Sequence, residues 1–187
     1  MNKISIYLAV ALILVAGLAG VGIGYSLTPE YKLSMFEKIP MDLGRADRSL
    51  DKRYIDSMAA HHRGAMLLAE QASKGSTRKE IKDLSADILS SEPKLIAELY
   101  AWKKDWYDDS RETKDPIVAN LGPAGEKFDL RFLNALIAHH EAGIEMTQQA
   151  RAKSSRAEIL DNADAVEAFL VKTLAIFKAW RLEWYNI

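Results

Sequence analysis

The chain writes one stretch twice, and that repetition limits the architectures open to it more than any other feature. Asp51-Lys-Arg-Tyr54-Ile-Asp-Ser-Met58-Ala-Ala-His61-His62 is matched, 78 positions later, by Asp129-Leu-Arg-Phe132-Leu-Asn-Ala-Leu136-Ile-Ala-His139-His140. The same offset carries Trp102 onto Trp180, Trp106 onto Trp184 and Tyr107 onto Tyr185. It also carries Thr77-x-x-Glu80 onto Ser155-x-x-Glu158, two capping-box signatures that each announce a helix start. All four histidines of the chain fall in the two pairs.

The periodicity places four helices: about Asp47 to Lys74, Thr77 to Asp109, Glu126 to Lys153, and Ser155 nearly to Ile187. Gly75-Ser76 breaks the first from the second, and a stretch with Pro116, Gly122, Pro123 and Gly125 divides the two halves. Short links force antiparallel neighbours, so the expected fold class is all-α, an up-down-up-down four-helix bundle of two repeats, 49–110 and 125–187. All four tryptophans would then lie at one end. Pro93 sits deep in the second helix and should kink it or start a new segment.

Residues 28–48, with Pro29, Pro40 and Gly44, read as a linker. Ahead of them, Ile4 to Leu27 is an uncharged apolar run, long enough at about 1.5 Å per residue to cross a hydrocarbon core of about 30 Å. Lys3 and the amino terminus precede it, which directs the rest of the chain to the extracytoplasmic side, periplasmic or extracellular. A cleaved signal peptide competes, with small residues at Gly17-Leu-Ala19. The apolar run continues well past that point, so an uncleaved transmembrane anchor over 1–27, in contact with membrane lipid, is the favoured reading. Ala16, Gly20 and Gly24 form a small-residue stripe along it, a route to self-association. The tryptophans and Tyr107 and Tyr185 at the ends of the even helices suit an interfacial belt, or core packing of Trp102 and Trp180 against Tyr54 and Phe132.

A net charge of −1 gives no electrostatic footprint for nucleic acid. With no cysteine there is no disulfide, no thiolate nucleophile and no cysteine-based zinc site. No serine has a convincing base beside it, so nucleophilic catalysis is excluded.

On a helical wheel His61 and His62 straddle the apolar face of the first helix, and His139 and His140 do the same on the third. Ala65 and Gly143, one turn on, leave room between the pairs. These four imidazoles are the candidate metal ligands. Met58, one turn before the first pair, can offer its thioether to the same point; Met66 and Met146 are weaker candidates. Folding the hairpins brings Glu92 opposite the first pair and Glu167 opposite the second, where either could fix a histidine tautomer. A carboxylate-bridged di-iron site would show Glu-x-x-His twice, but Met58 and Leu136 stand there, which points to softer ions. The competing reading makes all four histidines hydrogen-bonded core residues.

At these residues the sequence resembles the bacterial family known as domain of unknown function 305, a ferritin-like helical group. Asp51, Tyr54, Met58, His61, His62, Gly64 and Ala65 match its motif; Asp129, Phe132, His139 and His140 match it again, with Leu136 in place of Met. Leu95, Leu170 and Thr173 depart from the family's acidic and amide positions. The resemblance implies an exported protein that binds copper or silver through His and Met. The leading expectation is therefore a membrane-anchored, extracytoplasmic protein, not an enzyme, that binds a copper ion for sequestration or transfer, with zinc and silver as the alternative ions. The rival is a non-catalytic accessory subunit of a membrane protein complex with structural histidines, and a redox or oxygen-chemistry enzyme stands third.

Overall fold

The computed structural model describes residues 42–187. Four helices make up the fold: α1 (Leu50–Gly75), α2 (Lys79–Tyr107), α3 (Phe128–Lys153) and α4 (Ala157–Tyr185). They divide into an inner and an outer pair. α1 and α3 pack on each other, while α2 packs on α1 and α4 on α3. The burial pattern follows: α1 buries a wide face from Tyr54 and Ile55 through Leu68 and Ala72. α3 does the same from Phe128 to Ala150. The outer helices bury only narrow seams, Ile81, Ser85, Glu92, Leu99 and Lys103 on α2 and Ile159, Ala163, Leu170 and Phe177 on α4.

The order of directions is up-down-down-up, which corrects the expected up-down-up-down bundle. The start of α1 meets the end of α3, where Asp51 accepts hydrogen bonds from Ser154 Oγ at 2.6 Å and Arg156 Nε at 3.2 Å. The start of α3 meets the end of α1, with Asp129 paired to Arg78 at 3.4 Å. Residues 108–127 make this possible by running back along α1 instead of turning. Arg63 Nε donates to Asp115 at 2.8 Å, and Gln71 bonds Ala119 O and Leu121 N, each at 2.9 Å. At the near end of this crossover Asp109 draws in Lys52 at 2.6 Å and Arg111 at 2.7 Å.

The tryptophans consequently lie at opposite ends. Arg156 stacks over Trp106 at 4.0 Å at one end, and Arg78 over Trp184 at 4.1 Å at the other. Trp102 packs on the core cluster that holds Tyr54, and Trp180 on the one that holds Phe132. A shared interfacial belt is therefore excluded.

Pairs of contacts related by the repeat recur throughout. Arg53 donates to Leu43 O and Arg131 to Leu121 O. Gly44 N donates to Asp42 and Gly122 N to Asn120, at 2.8 and 2.9 Å, and both glycines hold the positive φ that the turn requires. The repeat thus reaches back to Asp42 and Asn120. The capping boxes do not form. Arg78 and Arg156 occupy the cap positions without a side-chain cap, and Ser76 Oγ and Ser154 Oγ accept from their backbone N–H groups instead. Pro93 lies inside an unbroken α2.

Among the described residues no helix is long and apolar enough to cross a membrane. The run Ile4 to Leu27 lies outside the described residues. The membrane-anchored architecture, the single-pass membrane localisation, and lipid, anchor-mediated self-association or a membrane complex as partners are withdrawn on this finding.

Gly75 closes α1 because a side chain there would collide with its neighbour: an added Cβ would stand 2.2 Å from Phe128 Cζ. Phe128 is itself buried, so its ring has little room to retreat. Gly75→Ala should lose about 1–3 kcal/mol of unfolding free energy in urea titrations, the overpacking cost outweighing the better helix propensity of alanine. An unchanged or raised stability would contradict this packing.

Candidate functional site

The middle turns of the two inner helices bring all four histidines together. His61 and His139, equivalent positions of the repeat, stack face to face with ring centroids 3.8 Å apart and planes 3° apart. His62 and His140 flank them, 6.1 and 6.0 Å from their sequence neighbours. Glycine on each inner helix allows the approach. A Cβ at Gly143 would stand 2.6 Å from His61 Cε1 and from Leu170 Cδ1, and one at Gly64 3.3 Å from His139 Cε1. Of the two small residues expected to leave room between the pairs, Gly143 is thus covered by His61 of the opposite helix, while Ala65 lines a cavity between α2 and α4.

The flanking rings have unlike surroundings. His62 Nδ1 pairs with Glu92 across the α1–α2 seam, the contact expected from folding the first hairpin. His140 instead meets the edge-on ring of Phe177 at 4.9 Å. Glu92 has Leu170 as its repeat equivalent, so the second pair has no matching acid. Glu167 does not approach the histidines; it binds Arg151 at 2.8 Å and Gln148 at 3.1 Å near the surface.

A cavity of about 640 Å³ opens between α2 and α4 above these rings. His61, His62, His139 and His140 line it from the inner pair, with Glu92, Leu95 and Trp102 from α2 and Phe169, Leu170 and Phe177 from α4. None of Met58, Met66 and Met146 lines it. Met58 and Met146 are fully buried in the core cluster with Tyr54, Ile55 and Leu99, and Met66 is half-buried. The expected cluster of histidine and methionine is therefore not assembled, which corrects the membrane-anchored His/Met copper site anticipated from sequence.

All four rings are at least nine-tenths buried, and several of their nitrogens lack a hydrogen-bond partner: His61 Nδ1, His139 Nε2 and both nitrogens of His140. An unpaired buried polar atom costs about 1–3 kcal/mol. Burial drives His139 down to about 3 and His140 to about 4, with the neighbouring imidazoles adding to the effect at His139. It holds His61 well below the ordinary value of 6.5, helped by His139. These rings are neutral, with free lone pairs, across the physiological range. Among the described residues no three His, Asp or Glu side chains already surround one point as a bound metal would need. In the stacked arrangement the lone pairs of His61 and His139 lie in two parallel planes, so one ring must turn before both can meet one ion.

What the fold and site define is a crossed-over helical repeat with an open groove floored by paired imidazoles. The chain belongs to the family described as Domain of unknown function (DUF305), whose profile it matches over residues 51–121 and again over 113–180. Solved structures with the same fold include CopM in the Cu(I)-bound form and in the co-crystallised Ag-bound form. Each has a TM-score of 0.64 and 24% identity, with 72% of this chain and 97% of that one covered. CopM in the Cu(II)-bound form gives a TM-score of 0.62 at 22% identity over the same shares. No curated protein sequence matches the chain.

Buried His139 and His140 set a pH dependence for the metal-free protein. Unfolding lets each take up a proton below about 6.5, whereas the folded state resists until about 4 or 3, so the unfolded state binds more protons in between. Stability therefore falls as pH drops from 6.5 towards 4, by about 1.4 kcal/mol per pH unit for each histidine kept neutral. Urea unfolding in the presence of a chelator at pH 7.5 and pH 5 measures it; equal stabilities would contradict neutral burial.

Proposed function

We propose that the groove binds a copper ion, with the closely related soft ion Ag(I) as an alternative, through imidazole nitrogens of His61, His62, His139 and His140, and that the protein is a binding protein and not an enzyme. The observation that carries this reading is the set of unpartnered nitrogens on deeply buried, neutral histidines lining one cavity. Core histidines normally complete their hydrogen bonds; a set left incomplete at one place fits a ligand that completes it. Imidazole suits copper, and a ligand already deprotonated releases no proton on binding. The fold shared with CopM, whose structures include Cu(I)-, Cu(II)- and Ag-bound forms, supports copper as the first ion to test.

Each residue has a distinct part in this account. His61 and His139 unstack so that one lone pair turns into the cavity. Glu92 holds His62 through Nδ1, which leaves Nε2 as the nitrogen to face an ion. His140 has only a weak contact with the Leu136 carbonyl to give up and no acid to hold it, so its ring is free to follow the ion. The buried side chains of Leu170 and Phe177 restrict water around the bound ion on the α4 side.

Competition titrations of the metal-free protein with Cu(I) test the proposal. His62→Ala/His140→Ala should weaken binding at least tenfold while the helical content stays unchanged. Equal affinity in wild type and the double variant would overturn the site. Met58→Leu, a near-isosteric change in the core, should leave Cu(I) affinity within about twofold and cost less than about 1.5 kcal/mol of stability. A large loss of affinity in Met58→Leu would instead require the thioether as a ligand.

A further inference from the structure

The two ends of the groove carry different charge, although the repeat would make them equivalent. At one end, where α4 begins and α2 approaches its end, the lining includes Glu98, Glu158 and Asp161. These carboxylates are exposed, and none forms an ion pair among the described residues. Glu92 lies deeper, against His62. No lysine or arginine is among the described residues lining the cavity. The repeat equivalents at the other end are Ile176, Glu80 and Asp83. None of those lines the groove, and Asp83 is neutralised by Lys79. In a chain of net charge −1, three unpaired carboxylates on one lip are a local arrangement and not a reflection of bulk acidity. Glu158 lies in the first turn of α4, where it also favours the helix dipole, but Glu98 lies far along α2 and has no such role.

The same cavity holds buried histidine nitrogens without partners, so the lip and the donors face one space. We propose that Glu98, Glu158 and Asp161 form an electrostatic entrance that draws a soft monovalent cation into the groove and passes it to the imidazoles below. This rests on the groove being the metal site. Carboxylate oxygens attract any cation but are poor ligands for soft Cu(I) or Ag(I), so they raise the local ion concentration without trapping the ion. The imidazoles then hold it. A harder ion such as Mg(II) or Ca(II) would gain only the weak lip, because the floor offers nitrogens and not a cage of oxygens.

Stopped-flow quenching of tryptophan fluorescence by Ag(I), added as the nitrate in chloride-free buffer, reads loading directly, since Trp102 lines the groove. Glu98→Gln/Glu158→Gln/Asp161→Asn should lower the association rate constant about 3–10-fold at an ionic strength of about 0.01 M. The gap should close near 1 M, where screening acts within about 3 Å. The dissociation rate should change less than twofold. The control Glu80→Gln/Asp83→Asn/Glu126→Gln removes the same charge at the opposite end of the bundle, outside the groove, and should slow loading less than twofold. Equal loading of wild type and lip variant at low salt would overturn the entrance while leaving the histidine site standing. A rate loss that persists at 1 M salt, or one matched by the control, would also overturn it. Failure of the wild-type protein to bind Ag(I) or Cu(I) at all would overturn both readings.

Discussion

The structure depends on one packing arrangement, the antiparallel contact of α1 with α3. Each inner helix presents a wide apolar face with a histidine pair at its midpoint, and neither face can be covered by the narrow seam of an outer helix. Packing the two faces head to tail brings Asp51 to Ser154 and Asp129 to Arg78, and sets His61 directly on His139. Residues related by the repeat meet each other at the centre, as a pseudo-twofold between the hairpins requires. The outer helices then flank the inner pair, and the space between them is the groove.

Departures from that symmetry fall where chemistry would use them. Tyr54 donates to Asn162 at 2.7 Å, while the matching positions are the apolar Phe132 and Leu84. Glu92 supports His62, but Leu170 stands opposite on α4 and Phe177 packs on His140. The core is nearly symmetric and the groove is not. A duplicated scaffold has kept its framework contacts in both copies, while the side chains facing the open cavity differ between them.

Much of this was legible in the sequence. Four helices, their hairpin pairing, the histidine pairs and the contact of Glu92 follow from periodicity and from folding each hairpin about its short link. The relation between hairpins was not legible, because one repeat offset is compatible with a parallel or an antiparallel arrangement of α1 and α3. Loop length decides between them. Residues 108–127 can extend to about 66–72 Å, more than the roughly 39 Å of a 26-residue helix, so the chain can return along α1 before α3 begins. The matching of Asp42-Leu43-Gly44 with Asn120-Leu121-Gly122 was the available signal that each repeat starts with a strap before its first long helix. Met58 shows a limit of the helical wheel. It lies on the inward face, but inward at that level means the core around Met146 and Leu99, one turn away from the cavity.

The central claim is that copper meets nitrogen and not sulfur in this protein. X-ray absorption at the copper edge of the Cu(I)-loaded protein tests it most directly. A first shell of nitrogen scatterers, with the outer-shell pattern of imidazole rings and no sulfur, is the predicted result. A sulfur shell, or a nitrogen shell without the imidazole pattern, would contradict it.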